Sequence, residues 1–186
     1  LQIHDVLLVC RIYISMLVKI ALYLGAFCAS LFHMTPLDAF DLAILRILQR
    51  DNATPQRSIG EAVNLSAPSV QRRIRRMEAD GVITRNVAVV APAKVGLPLT
   101  IFVQVELVSE TPEDIDGMKR RFRDAPEVQQ CFYVTGEADF MLVVVVESMA
   151  AYEEFTRQFL FSGGNVRKFR TFVSMDAVKT GTALNI

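Results

Sequence analysis

Arginine side chains dominate one short stretch of the chain, residues 66–77, which contains no acidic residue. A guanidinium group can donate paired hydrogen bonds to the major-groove edge of guanine or to a phosphate, so this stretch could bind nucleic acid. A basic run is also commonly a solvated helix face, so the surrounding elements decide between the two interpretations. The four arginines are Arg72, Arg73, Arg75 and Arg76.

The same stretch predicts an amphipathic helix. Ser66 is a favourable N-cap, Pro68 lies in the first turn, where its missing N–H costs little, and Gly81 can follow the C-terminal end. The apolar residues recur at helical spacing and form a buried stripe: Val70, Ile74 and Met77. Outside this stripe, on a rod about as wide as the DNA major groove, lie Gln71 and the four arginines.

Two further helices are predicted before the arginine helix. Apolar residues at helical spacing indicate one over about residues 38–50, with Asp38 placed to cap its first turn. Turn-forming residues 51–55 lead to a short second helix, and residues 64–66 make a tight turn into the third. A short second helix and a basic third helix are typical of a DNA-binding trihelical unit.

A strand is predicted after Gly81. Apolar and polar residues alternate over residues 82–87, which indicates a strand with one face inward. Such a strand would form a wing, and Arg85 on it would be available to a phosphate. The sequence therefore predicts a winged helix-turn-helix domain over residues 35–90.

The charge of the chain is uneven although its formal net charge is zero. Residues 36–91 carry 8 Lys and Arg against 6 Asp and Glu, whereas residues 92–186 carry 10 against 13. The placement of charge on one surface decides DNA binding, and the mean charge does not.

Histidine and cysteine are scarce where a catalytic or metal site would need them. Both histidines precede Met34, and Cys131 is the single cysteine after it. Zinc sites and a histidine base are therefore nearly excluded from residues 34–186. Cys131 lies among strand-like residues and is expected to be a small buried side chain. The sequence predicts a binding protein with no catalytic residue, no metal and no cofactor.

The first 34 residues form an apolar leader unlike the rest of the chain. Its longest uncharged run, residues 20–33, has 14 residues, fewer than the roughly 20 that span a bilayer. A longer span over residues 12–32 would have to bury Lys19. We expect translation to begin near Met34 and the leader to be absent from the native protein. A membrane anchor is the alternative.

An α+β domain is predicted over residues 99–186, after a linker over residues 91–98 that contains two prolines and a glycine. The expected order is strand 99–108, helix 112–123, strands 128–134 and 140–147, a helix capped by Ser148, and strand 166–175. This βαββαβ order is that of a ferredoxin-like sandwich, in which two helices cover one face of an antiparallel sheet.

The strand after residue 140 predicts self-association. Residues 141–146 are all apolar and do not alternate, so both faces of this strand require burial. Two helices cover one face of the sheet, and the second face would meet the sheet of an identical subunit. Cover by the DNA-binding domain of the same chain is the alternative.

Three groups of residues match a known pattern. They are Leu37-Asp38-x-x-Asp41-x-x-Ile44-Leu45, Leu65-Ser66, and Arg73-Ile74-x-x-Met77-Glu78-x-x-Gly81-Val82-Ile83. This pattern resembles the Lrp/AsnC transcription factors, the leucine-responsive or feast/famine regulators, and the resemblance covers about residues 36–186. Ala53 and Pro55 depart from the basic residue and serine N-cap common in the family. This departure affects the expected phosphate contacts of the loop before the second helix, where Thr54 could act as the N-cap instead. It does not affect the arginine helix.

The resemblance implies a cytoplasmic, sequence-specific regulator that binds double-stranded DNA as a homodimer, with octamers common in the family. Arg72, Arg76 and Arg85 are candidates for phosphate contacts, and Ser69, Gln71, Arg72 and Arg75 for base edges. The complete set of candidate DNA-binding residues is Ser66, Ser69, Gln71, Arg72, Arg73, Arg75, Arg76 and Arg85.

A second resemblance concerns the effector. Thr135-Gly136-x-x-Asp139-Phe140 resembles the family turn at which an amino-acid effector binds between dimers. Backbone N–H groups of such a turn could hold a carboxylate, and Glu137 or Asp139 could pair with an α-ammonium. A purely structural turn is equally consistent with these residues, because glycine supplies a positive φ and aspartate supplies local capping.

Three other functions remain open at this point. A small enzyme could be built on the ferredoxin-like domain, although it has neither a histidine nor a paired-carboxylate motif. A regulator could be tethered to a membrane by residues 1–33. An architectural DNA-binding protein would need no effector.

Overall fold

A computed structural model of the chain describes residues 36–162 and 164–186, which form two compact units. The sheet unit is Val90–Val178, and the helical unit comprises residues 36–89 together with Lys179–Ile186. The leader and both interpretations of it lie outside the described residues. Among the residues that the structure does describe, no helix is long and apolar enough to cross a membrane.

The helical unit contains the three expected helices, α1 Ala39–Leu48, α2 Gln56–Val63 and α3 Ala67–Ala79. Asp38 caps α1 as predicted, because its carboxylate accepts a hydrogen bond from the N–H of Asp41. The helices pack around one buried cluster formed by Ile44, Leu45, Ile59, Val63, Val70 and Met77. The apolar stripe of the arginine helix therefore faces the core as its spacing predicts.

The predicted strand over residues 82–87 is not formed, and residues 82–91 carry no strand in the part of the chain that is described. An alternating sequence makes a strand only where a second strand pairs with its N–H and C=O groups. Every described strand pair lies in the sheet unit instead. Val82 and Ile83 at the start of this segment pack partly buried against the core of the helical unit, whereas Val87, Val89 and Val90 are exposed.

The sheet unit has the predicted βαββαβ order, with β1 Leu99–Leu107, α4 Pro112–Asp124, β2 Val128–Tyr133, β3 Phe140–Val146, α5 Met149–Phe155 and β4 Val166–Val173. α5 continues into a π-helical turn, Thr156–Phe161. The four strands are antiparallel in the order β2-β3-β1-β4. This confirms the ferredoxin-like α+β fold.

Both helices of the sheet unit cover the same face of the sheet. Met118 and Phe122 of α4 and Tyr152 and Phe155 of α5 pack with the inward side chains of β1 and β3 in one cluster. Cys131, expected to be buried, is exposed. It lies on β2, an edge strand of the sheet, where cover is incomplete.

The end of the described chain belongs to the helical unit. Lys179–Ile186 clusters with α1 to α3, whereas the sequence places these residues in the second domain, 99–186. The segment makes specific contacts with the first helix, which are described below.

Candidate nucleic-acid interface and effector turn

The entry to α3 is fixed by its first residues. The Ser66 hydroxyl accepts a hydrogen bond from the N–H of Ser69 at 3.4 Å, which satisfies one of the unpaired donors of the first turn. The Ser69 hydroxyl in turn accepts a hydrogen bond from Nη2 of Arg72 at 3.1 Å. Both serines predicted to contact DNA therefore already hold a contact within the helix.

Gly60 allows α2 and α3 to approach closely. A Cβ atom at this position would lie 2.4 Å from the carbonyl oxygen of Leu65, in the turn between the two helices. The Leu65 N–H donates to the carbonyl of Gly60 at 2.9 Å, and Asn64 closes the turn with a φ of 56°. This contact sets the distance between α2 and α3. The spacing of apolar residues in the sequence does not reveal that Gly60 is needed there.

Asp41 is fully buried on α1 and binds two arginines of α3. Its Oδ1 accepts from Nη1 of Arg73 at 2.8 Å, and its Oδ2 accepts from Nη2 of Arg76 at 2.5 Å. Asp38 adds a contact of 2.7 Å to the same nitrogen of Arg73. The side chains of Arg73 and Arg76 are 21% and 37% exposed. We call Asp38, Asp41, Arg73 and Arg76 the carboxylate–arginine cluster.

The contacts between Asp38 and Arg73 favour the charged forms of these two residues. The backbone N–H of Asp41, and then the Arg73 guanidinium, hold the pKa of Asp38 below its ordinary value. Hydrogen bonds to Asp41 and Asp38 raise the pKa of Arg73. Asp38 and Arg73 are therefore both ionised at neutral pH, and the cluster holds α3 against α1.

The four arginines of α3 thus fall into two pairs. Arg73 and Arg76 point along the flank that faces α1, where carboxylates hold them. Arg72 and Arg75 are exposed, and neither forms an ion pair with another described residue. Gln71 is half-buried beside them. The sequence predicts the basic helix but not this division, because it gives no sign that Asp41 is buried.

Arg85 lies apart from the helix. It is exposed in the irregular segment that follows Gly81. In the absence of the predicted strand, nothing in the described residues fixes the direction of its side chain.

The effector turn is anchored by Asp139. This residue is buried, and its Oδ2 accepts from the N–H of Leu107 at 2.9 Å. Its own backbone pairs with Val105 and Val134, so the turn is tied to β1 and to the end of β2. Gly136 has a φ of 127°, which side chains other than hydrogen rarely tolerate. These contacts support the structural interpretation of Gly136 and Asp139.

Glu137 and Thr135 are more accessible. Glu137 is 88% exposed, and its carboxylate lies 3.6 Å from Nη1 of Arg170 on β4. The same nitrogen lies 3.7 Å from Glu106 of β1. Arg170, which the sequence does not single out, therefore lies between two carboxylates next to the turn.

The face of the sheet opposite the helices carries an apolar patch that is uncovered within the described chain, beside polar and charged side chains that include Glu106 and Arg170. Phe102, Phe132 and Phe172 lie on it and are 41%, 54% and 50% exposed. Phe102 and Phe172 are direct partners in register, whereas Phe132 is joined to them only through β3, since it pairs with Met141 and Phe102 pairs with Val143. The partly buried apolar residues of β3 on the same face are Met141, Val143 and Val145. This is the face that the sequence predicts to meet a second subunit.

Two family models match the chain. The model described as winged helix-turn-helix DNA-binding matches residues 37–84. The model described as Lrp/AsnC ligand binding domain matches residues 100–184. The two matches follow the helical unit and the sheet unit in the order that the sequence predicts.

Individual proteins match across both units. An uncharacterized HTH-type transcriptional regulator of Sinorhizobium fredii is 39% identical over 150 residues, which is 81% of this chain and 89% of that protein. The leucine-responsive regulatory protein of Rhizobium meliloti is 33% identical over 81% of this chain and 96% of its own length.

Solved structures agree with these matches. An AsnC family transcriptional regulator from Agrobacterium tumefaciens has a TM-score of 0.75 and 34% identity, over 80% of this chain and 96% of that one. A transcriptional regulator from Neisseria meningitidis, solved in complex with L-Met, has the same TM-score and coverage at 28% identity.

Proposed function

Because the chain belongs to the Lrp/AsnC family of transcriptional regulators, we propose that its helical unit binds double-stranded DNA through Arg72 and Arg75 of α3. The observation that carries this assignment is the division of the four arginines. Arg73 and Arg76 form ion pairs with a buried carboxylate inside the unit, so their positive charge is largely compensated before any DNA binds. Arg72 and Arg75 present their guanidinium groups on the outer side of a helix that fits the major groove.

Roles follow for the remaining candidates. Ser69 and Gln71 flank the two arginines and can reach base edges, while Arg85 supplies a phosphate contact from the following segment. Ser66, Arg73 and Arg76 serve mainly to position the helix, and their effect on DNA binding is indirect. Since the target is chromosomal DNA, the proposed location is the cytoplasm, and the proposed activity involves no catalysis.

Replacing Arg75 with alanine should weaken binding to the cognate site by about 1–3 kcal/mol and relax specificity at one base pair. Arg72→Ala should instead weaken binding to all sequences alike and reduce the slope of log K against log salt by about 1, if Arg72 contacts a phosphate. Fluorescence anisotropy on a site selected from the protein's own upstream DNA measures both effects. Equal loss on specific and random duplexes would contradict base reading by Arg75.

A matched control is available on the sheet unit. Arg123 is an exposed arginine near the end of α4, so Arg123→Ala removes the same charge away from α3. It should leave the affinity within about twofold of wild type, as expected for a charge that contacts no DNA. An Arg123 effect as large as that of Arg75 would show that net charge rather than α3 controls binding.

Two copies of the chain are proposed to pair through the apolar patch on the open face of the sheet. The three exposed phenylalanines and the neighbouring side chains of β3 would otherwise remain in water. A homodimer presents two copies of α3 to a pseudo-palindromic site, with half-sites about one helical turn apart. Larger assemblies, such as octamers, would be built from these dimers.

The sheet unit is proposed to bind an amino acid at the turn that contains Gly136 and Glu137. A structure of the Neisseria meningitidis regulator holds L-Met, which supports this class of ligand. The exposed Glu137 carboxylate could pair with the α-ammonium, and the backbone of the turn could hold the carboxylate. Such a ligand acts on transcription only if it binds one state of the assembly better than another.

Thermal unfolding tests the effector directly. At least one of the twenty amino acids, with L-methionine tried first, should raise the unfolding midpoint by several degrees as its concentration increases, because it binds the native state. Glu137→Gln should reduce this rise, while Glu147→Gln, which changes an exposed glutamate after β3, should not. If no amino acid shifts the midpoint while DNA binding persists, the effector assignment fails and the DNA assignment stands.

A further inference from the structure

Residues 184–186 lie against the first helix of the helical unit. The side-chain amide of Gln49 donates to the carbonyl of Leu184 at 3.3 Å, and the N–H of Leu184 donates back to Oε1 of Gln49 at 2.6 Å. Nε of Arg46 donates to the carbonyl of Ile186. Gln49 is the C-cap residue of α1 and lies three residues after Arg46, so both side chains project from the C-terminal end of this helix. Their contacts all go to the backbone of the segment.

Side-chain burial is concentrated at one residue of the segment. Ile186 is half-buried and packs against the apolar cluster of the helical unit. The Leu184 side chain is 72% exposed, although its backbone makes two hydrogen bonds. The contact thus requires an unblocked N–H at position 184 and an aliphatic side chain at position 186.

We propose that α1 carries a docking site for the segment 184–186 of its own chain, with Gln49 as the backbone anchor and Ile186 as the apolar anchor. The reciprocal amide pair satisfies a donor and an acceptor on each side, which is more specific than a single hydrogen bond. Residues 179–185 are all exposed, so the docked state depends on a few contacts and can be released.

Docking of the segment 184–186 adds a second connection between the sheet unit and the helical unit. The segment follows β4 along the chain, yet it ends on the helical unit. The helical unit is therefore joined to the sheet unit by a second stretch of chain besides the linker over residues 91–98. Release of the segment leaves only that linker.

Hydrogen exchange at the Leu184 amide in the full chain tests the docking. The N–H of Leu184 should exchange at least about tenfold more slowly than its unprotected rate in the wild type, because Gln49 holds it. Gln49→Ala and Ile186→Asp should each abolish this protection and lower the unfolding midpoint of the helical unit by roughly 4–8 °C. Leu184→Ala is the matched control, since it keeps the N–H and removes only an exposed side chain. It should keep both the protection and the midpoint.

Three results would overturn the proposal. One is an unprotected Leu184 amide in the wild type. Another is an equal effect of Ile186→Asp and Leu184→Ala. The third is regained protection of the Leu184 amide in Gln49→Ala chains after they are refolded together with Leu184→Pro chains. In that mixture only the Leu184→Pro chains carry Gln49, so the regained protection would mean that the segment docks on another copy and not on its own chain.

Discussion

Replacing Gly60 with alanine should destabilise the helical unit by about 2 kcal/mol or more and remove DNA binding. The new Cβ would lie 2.4 Å from the backbone oxygen of Leu65, far inside van der Waals contact. Alanine normally stabilises a helix interior over glycine by roughly 0.5–1 kcal/mol. Overpacking costs typically about 1–3 kcal/mol, and the cost is greatest where backbone atoms must move. The steric cost therefore exceeds the gain in helix propensity, and the net change in the free energy of unfolding is destabilising.

A second helical glycine provides the control. At Gly117 on α4, an added Cβ would have only the end of the Arg120 side chain nearby, at 4.0 Å. Gly117→Ala should therefore stabilise the sheet unit by ~0.5–1 kcal/mol. Urea unfolding followed by circular dichroism, with DNA binding measured in parallel, compares the two variants. A Gly60→Ala protein as stable as wild type would show that α2 and α3 can separate without cost.

Removing the Asp41 carboxylate should be the other change with a large effect. Asp41→Ala leaves Arg73 and Arg76 on the flank of α3 without their shared partner, and breaking a buried ion pair costs about 3–5 kcal/mol. Because both guanidinium groups are partly exposed, we expect a value near the lower end, about 3 kcal/mol. DNA affinity should fall as well, since α3 loses its attachment to α1.

Two comparison variants distinguish the buried cluster from ordinary charge effects. Glu61→Ala breaks the exposed pair between Arg57 and Glu61 and should cost less than about 1 kcal/mol. The triple variant Asp41→Leu, Arg73→Met, Arg76→Met replaces the buried charges with apolar groups and should recover most of the lost stability. If the triple variant is stable but no longer binds DNA, then Arg73 or Arg76 contacts DNA directly and the division of the four arginines is wrong.

The sequence allowed the elements to be predicted where a local pattern determines them. Ser66 and Ser148 cap their helices as expected, because the N-cap hydroxyl acts within one turn. The apolar periodicity located the buried sides of α1 and α3, and the unbroken apolar run located β3. These signals need no knowledge of which elements become neighbours.

The features that sequence reasoning missed depend on neighbours. Carboxylates are seldom buried without a partner, and the arginines that pair with the buried Asp41 lie more than thirty residues away along the chain, so no local pattern indicates its burial. For the same reason the sequence does not distinguish Arg73 and Arg76, which contact carboxylates of α1, from Arg72 and Arg75, which do not. The strand expected over residues 82–87 failed for a related reason, since an alternating pattern gives no information about a pairing strand.

The carboxylate–arginine cluster also constrains how such a protein can evolve. A change at Asp41 alone passes through an unstable intermediate, so the inner flank of α3 can drift only through compensating substitutions at Arg73 and Arg76. Arg72 and Arg75 form no ion pair with α1, so substitutions at these two positions need no compensating change there. On the proposed role of Arg72 and Arg75 in reading DNA, lineages can acquire new operators by changing these two residues while the fold of the helical unit stays unchanged.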